Sequence, residues 1–225
     1  MANSTKPPRF LLWATFLILF VTSSAVYFSR SQLPESIPIN IKGQPTIGYS
    51  KARVHVVIFE EPKCSHCGEF TNYIFPILKK EFIDTSKITY TVIPVSFLPG
   101  SMDAAIATLC VYHENPLYPN EDLFFKYLDY IYRNQSMKAD WATPQVLVQF
   151  AQATSPAIQI DKLKKGIEKE AYRLQIEENT AYGQQIMGGT ISTPTIYVNG
   201  IKAQDISLDG MRKLIKEVLE HEGIY

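Results

Sequence analysis

The residues best suited to chemistry are two cysteines in the stretch EEPKCSHCGEF, residues 60–70. Only Ser65 and His66 separate Cys64 from Cys67. Cysteines at this spacing form half of a metal site, a structural disulfide or a redox pair. A zinc site needs four ligands, usually including a second pair, and the chain has only three cysteines. Since a disulfide that closes so short a loop stabilises a fold little, the redox interpretation is favoured.

The elements around the pair predict different chemistry for the two sulfurs. The stretch ARVHVVIFE, residues 52–60, is almost continuously apolar and predicts a buried strand that leads into the cysteines. Cys64 is then expected at the start of a helix, whose positive end stabilises a thiolate and lowers its pKa. His66 is expected to add a positive charge or a hydrogen bond to that thiolate. Cys67, one turn later, would resolve the mixed disulfide that Cys64 forms with a substrate cysteine.

A second signal lies far along the chain, in GGTISTPTIYVNG at residues 188–200. The Thr193-Pro194 pair stands just before a predicted strand and invites a cis peptide bond. If Pro194 packs against the cysteines, Thr193 can offer its backbone N–H and C=O to an extended substrate segment. An ordinary trans proline at the start of a strand is the alternative.

Hydrophobic patterns predict an α/β core interrupted by helices. Residues 51–99 read as strand, helix and strand, and so short a crossover indicates a parallel βαβ unit, with Pro76 disturbing its helix. Helical patterns fill residues 100–188, beginning near Ser101. Residues 189–225 return to β structure with a hairpin, whose turn is Asn-Gly, and a closing amphipathic helix.

The N-terminal segment, residues 1–30, contains no acidic residue, and two basic residues precede an apolar run at residues 10–21. Small residues before a cut after Ala25 complete the pattern of a secretory signal peptide. An uncleaved membrane anchor over residues 10–28 is the alternative, since that stretch is long enough to cross a bilayer. Both interpretations export the rest of the chain. Residues 31–50, rich in proline and glycine, predict a spacer with a short strand near residues 38–42.

The overall composition is that of a globular protein with one domain and an insertion. The chain has 225 residues, of which 46% are hydrophobic and 20% charged. Its 22 basic and 22 acidic residues balance, so nothing indicates a nucleic-acid partner. No dimerisation segment is evident, and a monomer is the default expectation.

Over about residues 43–222 the chain resembles the DsbA-like thiol–disulfide oxidoreductases of the bacterial cell envelope, in the thioredoxin-fold superfamily. GQPTIGYSKARVHVVIFEEPKCSHC is similar to the family's approach to its Cys-x-x-Cys, including an acid three residues before the first cysteine, here Glu61. SMDAAIATLCVYHE resembles the first helix of the family's helical insertion, down to Cys110. GGTISTPTIYVNG resembles its Thr-Pro-Thr segment, whose proline is cis.

The resemblance implies a thioredoxin fold with an inserted helical domain and assigns a role to each site residue. Cys64 and Cys67 would form the redox-active disulfide, with Cys64 as the nucleophile and Cys67 as the resolving thiol. His66 would stabilise the thiolate. Thr193 and Pro194 would form the loop that faces the substrate.

Two departures from the family pattern concern the chemistry of the pair. Many members have proline before the histidine between the cysteines, where this chain has Ser65. Many also carry a buried acid six residues before the first cysteine, a position that Ile58 occupies here. The proton acceptor for Cys67 is therefore open, with Glu60 or Glu61 acting through water as candidates.

The resemblance also implies partners and a location. It predicts an enzyme without a bound cofactor or metal that acts on cysteine-containing envelope proteins and is recharged by a membrane redox partner. The location would be periplasmic or extracytoplasmic, with tethering to the inner membrane if residues 10–28 are retained. The direction of electron flow stays open between oxidase and reductase or isomerase. Two other functions stay open: a metal-handling module using the cysteine pair and a histidine, and a non-catalytic peptide-binding or chaperone domain. Cys110 is expected to be a buried, inert thiol.

Overall fold

A computed structural model describes residues 13–22, 33–136, 138 and 140–224. The chain forms two compact units, Met1–Glu35 and Ser36–Tyr225. In the first unit, residues 13–22 are helical and their apolar side chains are largely exposed. The rest of the predicted signal or anchor segment, including the expected cut after Ala25, lies outside the described residues. None of the helices that are described is both long and apolar enough to cross a membrane.

The second unit is built on a five-stranded mixed sheet. Its strands are β1 Thr46–Gly48, β2 Val54–Glu60, β3 Ile88–Pro94, β4 Thr195–Val198 and β5 Ile201–Lys202. They lie in the order β1-β3-β2-β4-β5. The central pair, β2 and β3, is parallel, and the other three pairings are antiparallel. The predicted parallel βαβ unit is therefore confirmed, and the sheet is that of the thioredoxin fold.

The strand expected near residues 38–42 does not form, and β1 lies a few residues later. Ile37, Ile39 and Ile41 instead pack across one face of the sheet, against the buried cluster Val57, Phe59, Ile93, Val95 and Tyr197. A segment that crosses a sheet face cannot also pair along the sheet edge. The chain reaches the edge only after Gly43, where β1 pairs with β3.

The helix that follows the cysteines, α1, runs over residues 65–83. Two stretches of it are π-helical, Phe70–Ile74 and Lys79–Ile83. Pro76 lies two residues after the end of the first of them. Because proline has no N–H to donate, it interrupts the α-helical ladder, and a wider π turn absorbs the mismatch. The helix disturbance that the sequence predicts at Pro76 is therefore a change from α-helical to π-helical geometry.

A block of five helices lies between β3 and β4. They are α2 Met102–Tyr112, α3 Glu121–Arg133, α4 Pro144–Thr154, α5 Ile160–Glu168 and α6 Arg173–Ile186. The block has its own buried core, built largely from α2 to α5, and Tyr127 donates a buried hydrogen bond of 2.8 Å to the Leu147 carbonyl within it. The helical insertion predicted from the sequence is confirmed. Helix α3 packs against α1, and α6 packs against β3, so the insertion lies over the sheet and the cysteine-bearing helix.

The chain closes with a hairpin and the helix α7, Leu208–His221. Val198 pairs with Ile201 across a two-residue turn, in which Asn199 and Gly200 have φ of 46° and 81°. Positive φ at both positions is the requirement of the predicted Asn-Gly turn. Helix α7 buries one apolar face against β2 and β4.

Candidate active site

Cys64 occupies the N-cap position of α1, directly after the turn that leaves β2. Its backbone is extended, with φ −72° and ψ 121°, and the helix begins at Ser65. The Cys64 N–H donates to the Glu61 carbonyl at 2.8 Å, and the Cys64 carbonyl accepts the first helical hydrogen bond from Gly68 at 3.1 Å. These contacts hold a partly exposed sulfur at the positive end of the helix.

The environment of Cys64 lowers its pKa from 9.0 to about 5. The largest cause is a hydrogen bond from the Cys67 thiol, which outweighs the opposing effect of burial. The Thr193 hydroxyl and the backbone N–H groups of Cys67 and His66 lower the pKa further. Cys64 is therefore a thiolate at neutral pH, as its predicted position at a helix start requires.

Cys67 has the opposite character. Its side chain has no solvent exposure, and burial raises its pKa well above 9.0. The hydrogen bond that it shares with Cys64 and the charge of Glu60 raise the pKa further. All three cysteines of the chain are free thiols in the structure. The two cysteines of the pair thus combine a partly exposed, ionised sulfur with a buried, protonated one.

His66 acts on Cys64 through its backbone rather than its imidazole. Its side chain is 74% exposed, and Nδ1 lies 3.2 Å from Oε2 of Glu69, one turn further along α1. Among the causes of the lowered pKa of Cys64, the contribution of His66 comes from its backbone N–H. The expected direct support of the thiolate by the imidazole is therefore not the arrangement found in the structure.

The predicted proline loop lies beside the first cysteine. The Thr193–Pro194 peptide bond is cis. The Cys64 sulfur lies 3.4 Å from the carbonyl oxygen of Thr193. The fold therefore joins two stretches 129 residues apart and places the Thr193 hydroxyl beside the sulfur whose pKa it lowers.

Two adjacent acids at the end of β2 are buried. Glu60 is 2% exposed and Glu61 is fully buried. Burial raises the pKa of Glu60 to about 8 and that of Glu61 to about 7. Glu60 accepts hydrogen bonds from Thr71 Oγ1 at 3.2 Å and from the Tyr132 hydroxyl at 3.4 Å. Glu61 accepts one from the Lys63 N–H at 3.0 Å.

The helical insertion holds the cysteine loop in place. The Gln135 side chain, just past the end of α3, donates to the carbonyls of Pro62 at 2.8 Å and Cys64 at 3.2 Å. It also passes close to Gly68, where an added Cβ would lie 2.7 Å from the Gln135 amide oxygen. The sequence contains no signal for this contact, because only the docking of α3 on α1 brings the residues together.

The third cysteine belongs to a different environment. Cys110 lies in the core of the insertion, and burial raises its pKa to about 12. Its sulfur packs closely against Gly166. In the residues for which the structure is described, no group of three or more His, Cys, Asp or Glu side chains is arranged to hold a metal ion.

Comparisons with known proteins agree with the geometry of the site. The family model described as Thioredoxin matches residues 40–217. The disulfide bond formation protein D of Bacillus subtilis is 35% identical over 162 residues, which cover 71% of this chain and 69% of that protein. A putative protein-disulfide oxidoreductase of Rickettsia typhi is 27% identical, covering 78% of this chain and 62% of that protein.

Two solved structures share both the fold and substantial sequence identity with this chain. The crystal structure of Chlamydia trachomatis DsbA has a TM-score of 0.75 and 36% identity, and the match covers 84% of this chain and 98% of that one. Oxidised BdbD of Bacillus subtilis has a TM-score of 0.74 and 32% identity, with 82% and 97% covered. This chain belongs to the thioredoxin family, among its DsbA-like thiol–disulfide oxidoreductases.

Proposed function

We propose that this enzyme donates disulfides to other proteins through the Cys64–Cys67 pair. The observation that carries the proposal is the opposite ionisation of the two sulfurs, with the pKa of Cys64 lowered to about 5 and that of Cys67 raised. A stabilised thiolate stabilises the reduced form of the pair, and a pair whose reduced form is stable is an oxidant. The name of the Bacillus subtilis relative, disulfide bond formation protein D, supports the same direction.

The reaction proceeds in two exchanges. A substrate thiolate attacks Cys64 of the oxidised pair, the Cys64–Cys67 bond breaks, and Cys67 leaves with the electron pair and takes up a proton. A second substrate thiolate then attacks the substrate sulfur of this mixed disulfide and releases Cys64. Because the pKa of Cys64 is about 5, it leaves as a stable thiolate. The substrate has lost two electrons and gained a disulfide, and the enzyme is left reduced.

The proline loop is the proposed docking site for the substrate. The Thr193 carbonyl lies 3.4 Å from the Cys64 sulfur, so a peptide segment paired with the Thr193 backbone would present its cysteine to Cys64. Pro194 follows with a cis bond, as in the Thr-Pro-Thr segment of the family. The exposed imidazole of His66 lies in the first turn of α1, where it can contact the bound segment rather than the sulfur.

The proposed setting is extracytoplasmic, with cysteine-containing envelope proteins as substrates. Each cycle leaves the pair reduced, so an oxidant must take up two electrons, and a membrane redox partner fits that role. The apolar run at residues 10–21 after a basic start supports export, whether it is cleaved or retained as an anchor. In intact cells, a membrane-impermeant thiol reagent should label Cys64 of the reduced enzyme. Labelling that requires cell lysis would contradict this location.

The proposed activity is tested by mixing the oxidised chain with a reduced, unfolded protein that carries two cysteines. We expect rapid formation of the substrate disulfide and stoichiometric reduction of the enzyme. Cys64→Ser should abolish the reaction, whereas Cys110→Ser should leave it unchanged because that thiol lies in the core of the insertion. If Cys64→Ser oxidised the substrate as fast as the wild type, the proposed function would be wrong.

A further inference from the structure

The position of Glu60 on β2 places its carboxyl on the face of the sheet that α1 covers. Side chains alternate along a strand, so Ile58 and Glu60 point to the same face. Their parallel partners on β3, Val92 and Pro94, follow the same alternation. The resemblance puts the family's buried acid at the position of Ile58. This chain instead carries an acid two residues later, on the same face and nearer the cysteines.

Side chains from the start of α1 lie over the Glu60 carboxyl. Cys67 and Thr71 are four residues apart near the start of α1 and share a face. Thr71 donates to Glu60 Oε1 at 3.2 Å, so that face lies over the carboxyl. The Tyr132 hydroxyl from α3 donates to Glu60 Oε2 at 3.4 Å and holds it from the other side. Because Cys67 has no solvent exposure, a proton leaving or reaching its sulfur must pass through a buried group.

We propose that Glu60 is the group that gives and takes the proton of Cys67 during disulfide exchange, an inference that rests on the proposed function. When a substrate thiolate opens the Cys64–Cys67 bond, Cys67 receives the electron pair and the proton of the Glu60 carboxyl. Glu60 is left as a carboxylate and recovers a proton from solvent. In the reverse reaction the carboxylate takes the proton of Cys67, and the new thiolate closes the bond with Cys64.

The neighbouring acid is bonded differently. Glu61 accepts from the Lys63 N–H, and a hydrogen bond from the Ser101 side chain lowers its pKa. Its electrostatic partners are Cys64 and Lys63, whereas the carboxylate that raises the pKa of Cys67 is Glu60. The two acids thus differ in how they act on Cys67: the charge of Glu60 raises its pKa, whereas Glu61 reaches it through a backbone hydrogen bond.

The environment of Glu60 suits proton donation at neutral pH. Burial raises its pKa to about 8, and a small cavity lined mostly by apolar side chains, among them Phe75 and Leu128, borders it. At pH 7 the carboxyl is about nine-tenths protonated and ready to donate to Cys67. The titratable groups that face it are Cys64, Cys67, Tyr90, Asp129 and Tyr132. The two tyrosines stay neutral, since burial raises both of their pKa values well above 10.0.

The test is the pH dependence of the reaction of the oxidised full-length chain with dithiothreitol, corrected for the thiolate fraction of that reagent. For the wild type we expect the rate to fall as pH rises through about 8, where Glu60 loses its proton. Glu60→Gln should remove this step and slow the reaction at neutral pH by about 10²-fold, the lower end of what general acid–base catalysis contributes. Glu61→Gln is the matched control and should keep the step.

Two milder variants keep the Glu60 carboxyl and change its pKa. Thr71→Val and Tyr132→Phe each remove a hydrogen bond that lowers the pKa of Glu60, so each should move the step to higher pH. An unchanged pH profile of the rate in Glu60→Gln would overturn the inference and leave the proposed function standing. A step that stays at the wild-type pH in both Thr71→Val and Tyr132→Phe would do the same. If the pH step disappeared in Glu61→Gln and remained in Glu60→Gln, the acid that exchanges the proton of Cys67 would be Glu61. A wild-type chain that reacts no faster than Cys64→Ser would overturn the proposed function itself.

Discussion

The ionisation of Cys64 predicts how the reduction potential of the pair changes with pH. For a two-electron couple, each proton taken up on reduction changes the potential by about 30 mV per pH unit. Below the pKa of Cys64, which is about 5, both sulfurs take up a proton, and the slope should be about 59 mV per pH unit. Above it only Cys67 does, because its pKa lies well above 9.0, and the slope should halve to about 30 mV.

The assay equilibrates the chain with glutathione buffers, stops exchange by acid and counts the free thiols by alkylation and mass spectrometry. A Cys110→Ser background leaves only the two reacting sulfurs. The range from about pH 5.5 to 6.5 is the informative one. There Cys64 is already ionised, while Glu60 and Glu61, with pKa values of about 8 and 7, are still protonated.

A slope that stayed near 59 mV per pH unit up to about pH 6.5 would refute this reasoning. It would mean that Cys64 still binds a proton there, so that neither the helix end nor the Cys67 thiol lowers its pKa to about 5. The cause of the lowered pKa is tested separately in Cys67→Ala, which has no disulfide couple: a rise in the pKa of Cys64, measured by thiolate absorbance against pH, would identify the Cys67 thiol as the main cause.

Two further predictions concern the proline loop and the hairpin turn. Thr193→Val should raise the pKa of Cys64, measured by thiolate absorbance against pH, because its hydroxyl is the strongest hydrogen-bond donor to that sulfur after the neighbouring thiol; an unchanged midpoint would contradict this. Gly200→Ala should destabilise the fold more than Gly188→Ala in urea unfolding. Both glycines have φ of 81°, which costs alanine about 1 to 2 kcal/mol, but only at Gly200 would the new Cβ run into the Ile37 carbonyl, adding about 1 to 3 kcal/mol. Equal losses of unfolding free energy in the two variants would show that the contact with Ile37 is unimportant.

The parts of the site that follow from local pattern were predictable from the sequence. A continuous apolar run marks β2 as a buried strand, and the cysteines follow within a few residues, so the position of Cys64 at the start of α1 follows from chain order. The Asn199-Gly200 turn is predictable because Asn and Gly readily adopt the positive φ that both of its positions require. In each case the residues that determine the geometry are neighbours in the sequence.

The features that the sequence did not predict depend on contacts between distant segments. The Tyr132 hydroxyl reaches Glu60 across 72 residues, and no periodicity within α3 indicates which of its side chains meets the sheet. The orientation of His66 was also open, since a residue between two cysteines can turn toward the sulfur or toward the next helical turn. A carboxylate at Glu69, available one turn away, is the partner that the imidazole meets. Thr71 alone had a local signal, because it lies four residues after Cys67 on the same helix face.

The most direct test of the central claim is to find which sulfur carries a glutathione adduct after the reduced chain reacts with glutathione disulfide. The reaction should be run on the wild type, Cys64→Ala and Cys67→Ala, with the adducts located by peptide mass spectrometry. We predict that Cys67→Ala accumulates an adduct on Cys64, that the wild type shows only the internal Cys64–Cys67 disulfide, and that Cys64→Ala stays unmodified. An adduct on Cys67 in the Cys64→Ala variant that forms as fast as the one on Cys64, or a wild type without an internal disulfide, would contradict the assignment of Cys64 as nucleophile and Cys67 as resolving thiol.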